Sequence, residues 1–199
     1  MRKTLSALLL VIGLLALPPA AAAEVDFVME INPLSYMISP DVDNFNVTDG
    51  ILLEEIEGVG SLYPNLKAGV GFESETMIFD ILGGVGYLWN DAFTATAFSA
   101  DLVLRLKVDQ RGIFTVGPHL GMIYFDPTYD GTAQVSLGSD TGLVGGVAFT
   151  VGSPRVAFTA LLDYLSAKFD VSTGGGWTAS QSQLDLSGFQ VVLGVQFRF

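Results

Sequence analysis

The sequence predicts an all-β protein, an eight-stranded antiparallel up-and-down transmembrane β-barrel, and three observations lead to this fold class. Eight segments alternate between apolar and polar residues, which is the two-residue period of a strand with two different faces. Half of the 199 residues are hydrophobic, yet after residue 23 they are spread by alternation and not gathered into long runs. The connections between the segments also alternate in length, as they do in membrane barrels.

The first 23 residues predict a secretory signal peptide. MRKT supplies a basic start, residues 5–17 form a mostly apolar run of 13 residues, and Ala21-Ala22-Ala23 gives the small-residue pattern of a cleavage site. A membrane anchor is the alternative, but a spanning helix needs about 20 apolar residues, and Pro18-Pro19 would end one. We therefore expect cleavage after Ala23 and a barrel domain over 24–199.

The strands follow from the alternation in chain order. The first four are predicted over 24–33, 62–72, 76–89 and 93–108, with apolar faces that include Val25, Phe27, Met29, Ile31; Leu66, Ala68, Val70, Phe72; Met77, Phe79, Ile81, Val85; and Phe98, Ala100, Leu102, Leu104. The last four are predicted over 112–125, 142–152, 154–169 and 188–199, with apolar faces that include Phe114, Val116, Leu120, Met122; Leu143, Val147, Phe149, Val151; Val156, Phe158, Ala160, Leu162; and Phe189, Val191, Leu193, Val195, Phe197, Phe199. Each is close to the length of about 9–11 residues that a tilted strand needs to cross a bilayer.

The connections sort by length. Tight turns are predicted at 73–75, 109–112 and 152–154, and longer connections at 34–61, 126–141 and 170–184, with Asn90-Asp91 as the one short exception among the latter. Short periplasmic turns that alternate with longer external loops are typical of outer-membrane barrels, and an even strand number places both termini in the periplasm.

The charges sort in the same way. Without Arg2 and Lys3 the chain has 7 basic and 21 acidic residues, a net charge of −14. Six of the seven basic residues lie toward the tight-turn ends, and Lys168 is the exception. The long connections hold Asp41, Asp43, Asp49, Glu54, Glu55, Glu57, Asp126, Asp130, Asp140 and Asp170. No basic patch is present, so nucleic acid is excluded as a partner.

These features together resemble the small outer-membrane β-barrel proteins of the OmpA-transmembrane-domain and OmpX type. The resemblance rests on the leader, the eight alternating segments, the sorted loops and the final Phe199 with Phe197 two residues before it. It implies a location in the Gram-negative outer membrane. It also implies that the C-terminal strand ending in Phe199 is presented to the barrel-assembly machinery.

The lumen of such a barrel is the first candidate site. Its predicted charged residues are Asp26, Glu30, Lys67, Asp80, Asp101, Arg105, Lys107, His119, Arg155, Asp163 and Arg198. One interpretation is a gated, ion-selective path. The other, which we favour, is a structural plug of ion pairs, because an eight-stranded barrel is just wide enough to be filled by side chains. Predicted inward glycines reduce the bulk around it: Gly69, Gly71, Gly84, Gly86, Gly117, Gly121, Gly145 and Gly194.

The single histidine, His119, raises the possibility of an enzyme that modifies lipid A. Barrel deacylases carry a serine two residues from the histidine, where this chain has Gly121. Barrel palmitoyltransferases pair a loop histidine with an Asp-Ser step, where this chain has Ser139-Asp140. We therefore expect no catalytic residue, and instead expect His119 to pair with an inward aspartate.

No cofactor or metal site is predicted. DVDNFNVTDG, residues 41–50, has Phe45 where an EF-hand loop needs an oxygen ligand. Two alternatives stay open for this acidic stretch: a solvated loop, or divalent cations shared with the phosphates of lipopolysaccharide. Aromatic residues are placed to form girdles at the two membrane interfaces, namely Tyr87, Trp89, Phe93 and Tyr124 at one and Phe197 and Phe199 at the other.

The predicted function is non-enzymatic support of envelope integrity, or surface interaction through the 34–61 and 170–184 loops. The first alternative is a narrow channel for small solutes or ions, and the second is a lipid A-modifying enzyme. A soluble lipocalin-like barrel would turn the same alternation inside out. The many glycines on the polar face disfavour it, because glycine saves no space on a solvent-facing surface.

Overall fold

The computed structural model describes residues 24–55 and 60–199. The predicted leader, its cleavage after Ala23, and Glu57 lie outside the described residues, as do the side chains of Asp43 and Glu55. In the part that is described, no α-helix is long and apolar enough to cross a membrane. Fifteen strands and one short 3-10 helix (Pro40–Asn44) are present in the described residues: β1 (Glu24–Ile38), β2 (Asn46–Thr48), β3 (Leu53–Glu55), β4 (Gly60–Leu62), β5 (Asn65–Glu73), β6 (Met77–Trp89), β7 (Phe93–Lys107), β8 (Phe114–Tyr129), β9 (Val135–Leu137), β10 (Asp140–Gly152), β11 (Val156–Ser166), β12 (Lys168–Thr173), β13 (Thr178–Ala179), β14 (Gln183–Asp185) and β15 (Gly188–Arg198).

Eight of these strands close into an antiparallel barrel. The order around the barrel is β1, β5, β6, β7, β8, β10, β11 and β15, and β15 pairs again with β1. Phe27 and Phe199 exchange two backbone hydrogen bonds at this seam, with N···O distances of 3.1 and 3.0 Å. The predicted eight-stranded up-and-down barrel is therefore confirmed, and no barrel strand is left with an open edge.

Strand β1 is longer than the sequence predicted. The segment 34–61 was expected to be a loop, but β1 continues to Ile38, and β2, β3 and β4 follow. Pairing of β1 with β15 shifts register between Ile31 and Leu34. Pro33 lies in this irregularity, and proline cannot donate a ladder hydrogen bond, so the alternation changes phase there and the strand pattern is hidden.

The outer wall of the barrel is apolar and the inner wall is polar at one end. Large outward side chains such as Leu102, Leu120 and Phe158 are exposed on the outer wall, while Asp80, Asp101 and Arg105 are buried inside. The charged face therefore lines the lumen and the apolar face surrounds the barrel. A lipocalin-like arrangement with the apolar face inside is contradicted.

The longer connections fold into a cap over one mouth of the barrel, which we call the loop end; the opposite mouth, with the tight turns and both ends of the barrel domain, is the turn end. Two small three-stranded sheets make up much of the cap, one with the order β14-β12-β9 and one with the order β13-β2-β3. Ser39, just after β1, donates a hydrogen bond to the Leu186 carbonyl (2.9 Å). This bond joins the first and last long connections.

Candidate functional site

A cluster around Asp80 fills the lumen near the turn end. Asp80 is fully buried, and its two carboxylate oxygens pair with Arg105 and Arg198. Gln196 accepts a hydrogen bond from Arg105 Nη2 (3.2 Å) and donates one to Glu30 Oε1 (2.6 Å). Since an unpaired buried charge costs several kcal/mol, Asp80 is the group that makes two buried guanidinium groups tolerable.

A second cluster around His119 lies further toward the middle of the lumen. The His119 ring is held between two carboxylates, with 2.9 Å from Nε2 to Asp101 Oδ1 and 2.9 Å from Nδ1 to Asp163 Oδ1. The other Asp101 oxygen takes Lys67 Nζ at 3.1 Å and the Ser99 hydroxyl at 2.8 Å. Ionised carboxylates only accept hydrogen bonds, so with both ionised the ring donates through both nitrogens. The His119 ring therefore bridges the two carboxylates.

Glycines make room for both clusters. A Cβ at Gly71 would lie 2.6 Å from Asp80 Oδ1 and 2.7 Å from Arg198 Nη1, and a Cβ at Gly121 would lie 2.6 Å from Asp101 Oδ1. The expectation that inward glycines reduce bulk around the charges is confirmed at these positions. Gly145 was wrongly placed in the lumen. Leu143 and Val147 face outward on β10, so Gly145 between them faces outward too, and it is Gly146 that approaches Asp163.

Two further residues of the predicted set, Asp26 and Lys107, form ion pairs at the turn-end rim. Arg198 Nη1 reaches Asp26 Oδ2 at 3.2 Å, and Lys107 Nζ pairs with Glu73 Oε1 at 2.6 Å. Arg155 does not belong to the network. It is exposed in the tight turn before β11, which begins at Val156. The alternation predicted that Arg155 faces the lumen. The strand begins one residue after it, so the side chain is not held on the lumen face.

Polar residues outside the predicted charged set also line the lumen. Gln196 and Glu73 contribute as described, and Gln190 Nε2 donates to the Ser35 hydroxyl at 2.8 Å. The two glutamines carry no charge and so were not among the predicted charged residues. Their position on the polar face of the last strand, in phase with Arg198, is the signal that identifies them.

The loop-end half of the lumen contains an apolar plug, which the sequence analysis did not anticipate. Inward side chains of the barrel strands pack there against side chains of the cap, and the buried members include Met37, Val42, Phe45, Tyr63, Leu88, Phe93, Ile123, Phe125, Phe169, Leu184 and Leu186. Phe169 of the cap lies in edge-to-face contact with two barrel residues, with ring centroids 5.8 Å from Phe93 and 5.9 Å from Phe125. The mouth is therefore closed by a packed core.

Glu54 anchors the β2–β3 hairpin to the opposite wall. Its carboxylate accepts hydrogen bonds from the Tyr129 hydroxyl (2.7 Å), the Thr132 amide (2.9 Å) and hydroxyl, and the Ala133 amide (3.1 Å). The bonds from Thr132 and Tyr129 lower the pKa of Glu54 to about 2. Glu54 was expected to be a solvated acid or a cation ligand, and its oxygens are instead occupied by protein donors.

The remaining acidic residues of the cap do not gather into a metal site. Among the residues that the structure describes, no three acidic or histidine side chains are grouped so that they could hold an ion. Asp49 caps its own turn and Asp185 pairs with Lys168 at 2.7 Å. The carboxylates that remain available to share cations with lipopolysaccharide are exposed and separate from one another, such as those of Asp41 and Asp126.

The aromatic girdles are largely where they were expected. Tyr87, Trp89 and Tyr124 are exposed on the outer wall toward the loop end, and Phe199 is exposed at the turn end. Phe93 is the exception, because it is 0% exposed and belongs to the plug. Phe98 and Ala100 face outward on the same strand, so the two-residue period places Phe93 inward.

A closed eight-stranded barrel with an apolar outer wall, a charged lumen and folded loops at one mouth is the architecture of the small outer-membrane barrel proteins. Solved structures that share this fold include the outer membrane protein OprG from Pseudomonas aeruginosa, which is 13% identical, with 89% of this chain and 97% of that chain covered and a TM-score of 0.55. Neisserial surface protein A is 11% identical, with 88% of this chain and 99% of that chain covered and a TM-score of 0.52. No protein-family model and no curated sequence matches the chain. The predicted resemblance is thus confirmed at the level of the fold.

Proposed function

We propose that this chain is a small non-enzymatic outer-membrane protein that supports envelope integrity and presents its loops at the cell surface. The observation that carries the proposal is the filled lumen. Ion pairs occupy the turn end and a packed apolar plug occupies the loop end, so the inside of the barrel serves to hold the wall and the cap together.

The location in the outer membrane is supported by the surface of the barrel. Its outward side chains suit a lipid environment better than water, the leader indicates export, and the fold is the one that outer-membrane proteins share. Outer-membrane lipid and lipopolysaccharide then surround the outer wall of the barrel. Divalent cations bridge the exposed acidic side chains of the loop end and the phosphates of lipopolysaccharide. Phe199, exposed on the wall at the barrel seam, is the residue we propose the assembly machinery engages.

A role without catalysis is supported by the state of His119. Both of its ring nitrogens are engaged by carboxylates, and the ring is buried in the lumen. A general base needs a free nitrogen within reach of its substrate. The Ser99 hydroxyl in this cluster donates its hydrogen bond to Asp101, which supports a structural role for the histidine.

Cell fractionation with heat-dependent gel mobility tests this proposal. We expect the protein in the outer-membrane fraction after alkaline extraction, with an unboiled band that migrates faster than the boiled one, because a closed barrel resists the detergent until it is heated. Lipid A from cells with and without the gene is expected to be identical by mass. Release into the soluble fraction, a single band, or a change in lipid A would contradict the proposal.

A further inference from the structure

The β2–β3 hairpin of the cap displays three large apolar side chains that nothing in the described structure covers. Ile51 is 92% exposed, Leu52 is 58% exposed and Leu53 is 59% exposed. We call these three residues the apolar tip. They belong to the cap and not to the lipid-facing wall of the barrel, where exposed apolar residues are expected.

The turn that carries the apolar tip is held in one conformation by its own polar groups. Asp49 Oδ1 accepts hydrogen bonds from the amides of Ile51 (2.8 Å) and Leu52 (2.7 Å), and the Thr48 hydroxyl donates to the Leu52 carbonyl (2.8 Å). Gly50 supplies a φ of +90°, which other residues rarely adopt. Because the turn is already ordered, a partner would not have to order it on binding.

The pairing of the hairpin decides which way the apolar tip faces. Val47 pairs with Glu54, and Thr48 pairs with Leu53. Paired residues of an antiparallel ladder share one face of the sheet. Val47 is buried in the plug and Glu54 binds the barrel rim, so the face with Leu53 is turned away from the barrel.

The surroundings of the tip are acidic. Asp49 is part of the turn. Asp130 follows Tyr129, whose hydroxyl binds Glu54, and the Asp130 amide donates to the Ala92 carbonyl next to Asp91, so these two aspartates lie at the barrel rim that the hairpin contacts. All three aspartates are exposed. Within the described part of the loop end the only basic side chain is Lys168, and Asp185 neutralises it.

We propose that the apolar tip is a docking site for a polypeptide segment that combines basic and apolar side chains. The apolar side chains of that segment cover Ile51 to Leu53, and its basic side chains meet the aspartates around them. Charge complementarity and the outward direction of Leu53 favour a cationic polypeptide over the anionic lipid surface beneath the cap. The inference rests on the proposed function, which places the loops outside the membrane.

Binding of a short labelled amphipathic peptide of leucine and lysine to the full barrel in phosphatidylcholine nanodiscs tests the proposal. We expect saturable binding that weakens with salt. The double variant Ile51→Ser/Leu52→Ser is expected to bind about ten-fold more weakly or worse, since two apolar side chains lose their burial. Ile113→Ser removes an exposed apolar residue from the turn end and is expected to leave the affinity unchanged.

Two further comparisons make the test specific. Peptides with serine in place of leucine, or glutamate in place of lysine, are expected to bind much more weakly, and equal binding of either overturns the proposal. The chain has no cysteine, so Ile51→Cys can carry a polarity-sensitive dye; a blue shift in nanodiscs before peptide is added would place the tip on lipid and overturn it too. If the wild-type protein does not bind the peptide but its unboiled gel band still migrates faster than the boiled one, only this inference is rejected. If the wild-type protein shows no such difference between the two bands, the proposed function is rejected.

Discussion

Asp80→Ala is expected to destabilise the barrel by about 3–5 kcal/mol, the cost of breaking a buried ion pair from one side. The substitution leaves Arg105 with Gln196 as its remaining partner and Arg198 with Asp26 at 3.2 Å. Both guanidinium groups are buried, and neither can lose its proton. The unfolding midpoint in urea, measured by tryptophan fluorescence in lipid vesicles, checks the effect.

Two controls separate the loss of charge from other effects of this substitution. Asp80→Asn keeps an acceptor oxygen of similar shape, so we expect a smaller loss than for Asp80→Ala. Arg155→Ala changes a charge in an exposed turn and is expected to alter stability by less than about 0.5 kcal/mol. An Asp80→Ala protein as stable as Arg155→Ala would show that the cluster does not hold the barrel together.

Phe169→Ala is expected to loosen the cap by about 3–5 kcal/mol, the usual cost of truncating a fully buried phenylalanine. The side chain comes from the cap, and it packs against Phe93 and Phe125 of the barrel. We expect the cap to open without the barrel, so the loss should appear as local opening. Hydrogen exchange of the β12 and β14 amides is expected to accelerate roughly a hundred-fold or more, while the barrel amides stay protected.

Ile51→Ala is the matched control in the cap. Its side chain is 92% exposed, so exchange in β12 and β14 should not change. Equal exchange rates in Phe169→Ala and the wild type would mean that the plug does not fasten the cap. Accelerated exchange throughout the barrel would mean that cap and barrel open as one unit.

The barrel could be predicted because each strand has one face toward lipid and one toward the lumen. This contrast survives in the sequence wherever the lumen is polar, as at Arg105 between the outward Leu104 and Leu106. At the loop end both faces are apolar: Met37 faces inward and Ile38 outward. The alternation between apolar and polar residues is lost there, which is why residues 34–38 of β1 were assigned to a loop.

The lumen residues were predicted from the phase of the alternation, and the errors have two different origins. Arg155 lies before its strand begins, while Phe93 and Gly145 were assigned against the phase of their own strands. The plug could not be predicted, because Phe169 was assigned to the strand predicted over 154–169 and Leu184 to a loop. That strand ends at Ser166, and Phe169 belongs to β12 of the cap. Only the folded cap brings the two side chains over the barrel mouth.

Planar-bilayer recording of the purified full barrel tests most directly whether the lumen is filled. Each reconstituted protein should give no reproducible unitary conductance, because the apolar plug offers an ion no polar path through the loop end. Steps of constant size that scale with salt concentration would contradict the account and would favour the channel interpretation.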